Sequence, residues 1–162
     1  MTVFITIFAG FTVFVLGQIF LKWFIEPVQE FRKLQGEILF LFANDHAAIH
    51  NAKAIDEKEA LIVLGALYNL GARLHSCIHL IPCYRKTRRV FSLPEEEKVI
   101  FAAKCMHSMG NTMFGSSADI NYKLDLYRIQ ICEALNIKDP IQRSMTKDEL
   151  LASIDNINKK NA

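Results

Sequence analysis

The densest run of reactive side chains is Arg73-Leu74-His75-Ser76-Cys77-Ile78-His79. Arg73 and His79 are separated by five residues. A cation can stabilise phosphate charge and an imidazole can move a proton, so the pair could take a phosphate-related role. The competing reading is a polar patch on an otherwise buried helix. His75 and His79 stand four apart, a spacing that can hold a metal from one helical face, with Cys83 a turn further on and Cys105 or His107 within reach from another helix. No CxxC pair or HExxH accompanies them, and Pro82 turns the chain away before Cys83 can join, so these groups read as core histidines and buried thiols without a metal. His46 and His50 make a second four-residue pair beside Asp45 and read as a solvated or interfacial helix face. No nucleophile motif or phosphate-cradling glycine loop is present, and Gly115-Ser116-Ser117 reads as a turn into an N-cap. Non-enzymatic chemistry without a cofactor is the expectation.

Two further groups of residues point to charge and packing. Arg85, Lys86, Arg88 and Arg89 crowd one segment, although the whole chain carries a net charge of only +2. They read as a loop between two helices that binds an anionic partner: RNA through its phosphates, or anionic lipid if the bundle folds the segment back toward a membrane. Tyr84 alone offers little surface for stacking single-stranded bases. Near the N-terminus, Thr6, Gly10, Val13 and Gly17 share one side of a helix at about 100° per residue, whereas Gln18 and Lys22 share another. Small residues allow neighbouring helices to approach closely, and Gln18 with Lys22 can face a shared polar interior, as in a ring of identical subunits. A tolerated Gln18 and a snorkelling Lys22 form the plainer alternative.

The elements that position these residues begin with an apolar stretch. The first 21 residues contain no charged side chain and only Thr2, Thr6, Thr12 and Gln18 as polar breaks. At about 1.5 Å per residue, roughly 20 residues cross the hydrocarbon thickness of about 30 Å. Residues 1–25 are therefore expected to form a transmembrane helix, with Trp23 as an interfacial anchor. A cleavable signal peptide competes, but the basic n-region is missing and bulky Trp23 and Phe24 occupy the exit. Lys22, Arg32 and Lys33 follow the span and no cation precedes it, which predicts the N-terminus outside and the remaining domain in the cytoplasm. There Cys77, Cys83, Cys105 and Cys132 stay reduced and read as small buried hydrophobes.

The remaining residues, about 135 of them, suffice for one domain. Pro27 opens a new helix or kinks a continuous one. Val28, Phe31, Leu34, Ile38, Leu41, Phe42 and Ile49 recur at helical spacing, which predicts a helix to about Lys53. Asp56 with Glu59 opens a second, central helix that ends at Pro82, and Ser92 with Glu95 and Pro94 opens a third that ends near Asn111 to Gly115. A fourth spans 118–135, with Ile120, Leu124, Tyr127, Ile131, Cys132 and Leu135 on one stripe, and Thr146 with Glu149 caps a short last helix. The predicted fold is all-α: a transmembrane helix at 1–25, an antiparallel four-helix bundle at 26–145, and a short helix with a polar tail at 146–162.

The span running straight into a helical bundle, the transition VFVLGQIFLKWFIEPVQEFRKLQGEI, and the Arg73/His79 pair resemble the small membrane accessory proteins of type VI-B CRISPR systems. The pair also fits the loose Arg-to-His spacing of the HEPN ribonuclease superfamily. The resemblance implies a homo-oligomeric pore in a bacterial inner membrane with a divergent HEPN-like cytoplasmic domain. Such a protein enhances antiviral defence by an RNA-guided effector through membrane depolarisation. On this resemblance Arg73 and His79 occupy the divergent HEPN motif, and Gly10, Gly17, Gln18 and Lys22 line or pack the pore, in contact with membrane lipid. Leu74 stands where active nucleases of that type carry a polar residue. A membrane-tethered HEPN-type ribonuclease and a passive membrane-anchored scaffold are the alternatives.

Overall fold

The computed structural model describes residues 2–51, 56–115, 119–141 and 147–160. Every regular element among them is helical. Helix α1 (Thr2–Phe20) passes through one π-helical turn at Leu21–Ile25 into α2 (Glu26–Asn44), so that Val3–Asn44 is one unbroken 42-residue helix. Pro27 explains the wide turn. Inside an α-helix it would lack an amide and push its ring against the carbonyl of Trp23. Here the amide of Glu26 reaches back five residues to the Leu21 carbonyl, which opens the helix just before Pro27. The boundary expected at residue 25 is thus a local widening within one rod.

The two halves of this rod differ in surface. On α1 the large apolar side chains lie exposed, Phe4 at 76% and Val13 at 70%. This helix is long and apolar enough to cross a membrane, a test that a signal sequence near the N-terminus also passes. On α2 the expected stripe of Val28, Phe31, Leu34, Ile38, Leu41 and Phe42 is buried. The helix expected to continue to Lys53 breaks at Asp45, whose amide still bonds the Leu41 carbonyl, and a single-turn α3 (His46–His50) follows. Residues 52–53 of that expectation lie outside the described residues.

Helix α4 (Glu57–Leu80) is central, as expected: it packs against α2, α3 and α6, and buries Ala60, Val63, Leu67, Leu70, Leu74, Cys77 and Ile78. It too is long and apolar enough to cross a membrane, but 39% of its apolar window is buried inside the protein, as befits a core helix. Full burial of a Leu or Ile side chain stabilises by about 1.5 to 3 kcal/mol, so the stripes of α2 and α4 hold each other. Helix α6 (Glu96–Met113) presents Met106 and Met109 to this core and packs α7 (Ile120–Ala134) on its other side. Helix α8 (Lys147–Lys160) covers α7 with Leu150 and Ile154. At three to four turns it is longer than the short helix expected, and its expected cap Thr146 lies outside the described residues.

Two expectations around the basic segment are corrected. The segment Tyr84–Phe91, expected as a loop, is a two-turn helix, α5. Cys83 and Ser92 stop it at both ends in the left-handed conformation, with φ of 47° and 52°. Ser92 therefore ends α5, its neighbour Leu93 bonding back to the Arg88 carbonyl, and it does not open α6 as expected; Glu95 takes the N-cap position there.

The antiparallel packing of α2 and α4 sorts the molecule into two ends. At the end where α1 enters, the Cys77 thiol lies 3.8 Å from the Pro27 carbonyl, and Arg32 donates to the Phe91 carbonyl at 3.2 Å. The last turns of α4 therefore flank the first turns of α2, and the C-terminal end of α5 meets α2 at Arg32. At the far end, α3 meets the start of α7.

Candidate functional site

Arg73 sits on α4 facing α2, because its position follows Leu70 by three residues and precedes Cys77 by four along the buried stripe. Its guanidinium donates to Glu37 at 2.6 Å and to Glu30 at 2.9 Å. Those two carboxylates stand seven apart on α2, two turns on one face, so they grip the fork from both sides. The bond to Glu37 is the largest influence on Arg73 and raises its pKa, with Glu30 adding to it and burial opposing. Both positive fork nitrogens are already matched by negative charge.

His79 does not join Arg73. Six positions at about 100° each place it about 120° away around the helix. It is exposed, and its ring stands edge-on to that of His75, also exposed, with centroids 5.5 Å apart. The sequence pair thus resolves into a structural clamp and a surface imidazole pair. The motif spacing singled out Arg73 but could not see Glu30 and Glu37, which arrive from another helix.

Helix α5 gathers the basic residues. Tyr84, Thr87 and Phe91 form its inner side: the Tyr84 hydroxyl donates to the Pro94 carbonyl at 2.9 Å and Thr87 to the Pro82 carbonyl at 2.8 Å. Burial pushes the Tyr84 phenol up to about 12, so it stays a neutral donor. Arg88 pairs with Glu95 at 3.0 Å across a cleft of about 670 Å³ that Glu96 and Glu97 also line. Arg85, Lys86 and Arg89 are exposed. Helical order pairs Arg88 with Glu95 and leaves Arg85, Lys86 and Arg89 exposed on one arc, of which Arg85 and Arg89 also border the acidic cleft.

The most buried polar cluster escaped the sequence reading. His50, expected on a solvated or interfacial face, has a side chain only 7% exposed and places Nε2 3.1 Å from Asp125, which is fully buried. Its Nδ1 lies 3.1 Å from the His46 carbonyl, so both ring nitrogens face oxygen acceptors. Arg128, 1% exposed, donates to the same Asp125 oxygen at 3.3 Å and to Asp139. His46 stacks on His50 with ring centroids 4.3 Å apart. Donor atoms of His46, His50 and Asp125 lie within 4.8 Å of one another, close enough for a cation to join them, and the Arg128 guanidinium already brings positive charge to that point. The available signal was the Asp125/Arg128 spacing on one helix, but nothing in it indicates complete burial.

Three thiols are buried as expected, Cys77, Cys105 and Cys132, whereas Cys83 is exposed at the start of α5 because its left-handed backbone turns the chain outward. Burial raises the thiol of Cys77 and pushes those of Cys105 and Cys132 up to about 11 and about 12. On α1, Gly10 and Gly17 have no atom within 4 Å of where a Cβ would stand, which leaves that surface open. Gln18 and Lys22 are exposed as well. The π turn begins at Leu21, so the count of about 100° per residue that grouped Gln18 with Lys22 holds only as far as Phe20.

No protein-family model, curated protein or solved structure matches this chain.

Proposed function

We propose that the chain is a single-pass membrane protein whose N-terminal helix assembles with further copies into a pore or membrane-perturbing oligomer, with the bundle on the cytoplasmic side and no catalysis of its own. The observation that carries this reading is the unbroken helix from Val3 to Asn44. A passive tether works through a flexible linker. Here the apolar rod and the buried stripe of α2 share one axis, so a tilt of the bundle is a tilt of the span. The open surface at Gly10 and Gly17 supports close approach of neighbouring rods, and Gln18 supports a polar side. Engagement of Arg73 by two carboxylates argues for a structural role there and against ribonuclease chemistry. On the resemblance to the accessory proteins of type VI-B CRISPR systems, the oligomer acts in antiviral defence beside an RNA-guided effector.

The test is the mass of the particle extracted in mild detergent, together with dye retention by proteoliposomes. A mass several times that of one chain, with leakage that changes on Gln18→Leu and Lys22→Leu, is the expected result. A strictly monomeric particle overturns assembly. Degradation of RNA that stops on His79→Ala, with helicity intact, returns the ribonuclease alternative.

A further inference from the structure

The end of the bundle that receives α1 also carries α5. The Arg32 bond to the Phe91 carbonyl places the C-terminal end of α5 beside the second turn of α2, and the end of α4 that leads into α5 brings Cys77 to within 3.8 Å of the Pro27 carbonyl. Arg32 follows Glu26 by six residues, about 9 Å along the helix axis at 1.5 Å per residue. Headgroup regions of a bilayer extend roughly 5 to 7 Å beyond each face of the hydrocarbon core. If α1 crosses the membrane with Glu26 at the hydrocarbon edge, the Arg32–Phe91 contact lies just beyond the outer edge of the headgroups, within reach of extended Arg and Lys side chains on α5.

The side chains of α5 suit that position. At about 100° per residue, Arg85, Arg89 and Lys86 fall on one arc about 100° wide, opposite the inner side made by Tyr84, Thr87 and Phe91. Arg88 lies off this arc and is paired with Glu95. Val90, about 40° beyond Lys86 on the same count, edges the arc and is 77% exposed, and Leu80 at the end of α4 is 64% exposed. A cationic arc edged by exposed aliphatic residues is the composition that settles at a headgroup boundary.

We propose that α5 is a second membrane contact, a docking surface in which Arg85, Lys86 and Arg89 bind the anionic phospholipid headgroups of the leaflet where α1 ends. This inference rests on the reading of α1 as a span and adds a lipid preference to it. With α1 inserted on one side and α5 laid on headgroups on the other, the rod is held at two points and its tilt is coupled to the charge of the leaflet. Nucleic acid phosphates offer the same charge, but the position of α5 beside the emerging rod and the aliphatic flanks favour lipid.

The experiment uses the full chain in nanodiscs, labelled at exposed Cys83 with an environment-sensitive fluorophore. One set of discs contains phosphatidylcholine alone, the other equal parts phosphatidylcholine and phosphatidylglycerol. A blue shift confined to the anionic discs is expected. Each cation near an anionic surface strengthens attachment about fivefold at low salt. Neutralising all three, by Arg85→Gln, Lys86→Gln and Arg89→Gln, should weaken docking about a hundredfold and abolish the shift. Added salt should weaken it too, because screening acts over about 8 Å at physiological ionic strength. These side chains are exposed, and the helicity of the triple variant is checked by circular dichroism. An identical spectrum in both discs, or a shift that survives the triple change, overturns the docking surface while leaving the span intact. A shift produced by RNA oligonucleotide in neutral discs, with none from phosphatidylglycerol, reassigns the arc to nucleic acid. A chain released from membranes by alkaline carbonate overturns both the span and this inference.

Discussion

Two arginines, one near each end of the bundle, are each held by two carboxylates, and they differ in almost every other respect. Arg73 lies between α4 and α2 with a side chain 38% exposed, gripped by Glu37 and Glu30. Arg128 lies within α7, 1% exposed, joined to Asp125 and Asp139, with His50 on the same Asp125 oxygen. Equal chemistry carries unequal weight because water reaches every member of the first cluster, whereas Arg128 and Asp125 in the second are sealed from it and only Asp139 keeps some exposure. A half-exposed pair gains little, since solvent screens it and two long side chains must be ordered. Removing one member of a buried pair leaves a charge that water cannot reach, which costs far more than the pair itself contributes.

Arg128→Met should therefore be the most damaging change, lowering the stability of the bundle by about 3 to 5 kcal/mol in chemical denaturation in detergent. A loss below about 1 kcal/mol would mean that the Asp125 cluster opens to water. Next comes Gly71→Ala. An added Cβ there would meet the His107 ring at 3.0 Å and the Ala103 carbonyl at 3.3 Å, so overpacking of about 1 to 3 kcal/mol outweighs the helix propensity gained. A net loss of about 1 kcal/mol is expected. Gly10→Ala on the open surface of α1 should leave denaturation unchanged and, on the proposed assembly, reduce only the mass of the detergent particle. Arg73→Gln should cost at most about 1 kcal/mol by the same measurement. A loss as large as that of Arg128→Met would erase the contrast between the two ends. The smallest effect is a negative one: thiol reagents should label Cys83 in the folded protein and reach Cys77, Cys105 and Cys132 only after denaturant is added, because burial keeps those thiols protonated.

The difference between the arginines is also a difference in what could be read beforehand. Arg73 stood out because a spacing in one dimension marked it, and the structure gives it a clamp whose other half is distant in sequence but adjacent in space. Its partner Glu37 is 36 residues distant in sequence. Arg128 carried no motif, and its burial depends on α3 and the 139–141 segment folding over α7. The basic run was noticed for its charge and misread as a loop, since Pro82 upstream and Pro94 downstream both suggest interruption. Local bonds from Thr87 to Pro82 and from Tyr84 to Pro94 instead use those prolines' free carbonyls to seat a helix.

Sequence alone determined the periodic properties: an apolar helix of membrane-crossing length, the stripe of α2, the central place of α4, and an all-helical chain. Such properties repeat along one element, so neighbouring residues report them. Tertiary structure alone decided that the apolar helix and α2 form one rod, that Arg73 and His79 face apart, that Cys83 is exposed, and that His50, Asp125 and Arg128 share a buried cluster. Each of these depends on which surfaces meet, and a polar group's role changes with the water left around it.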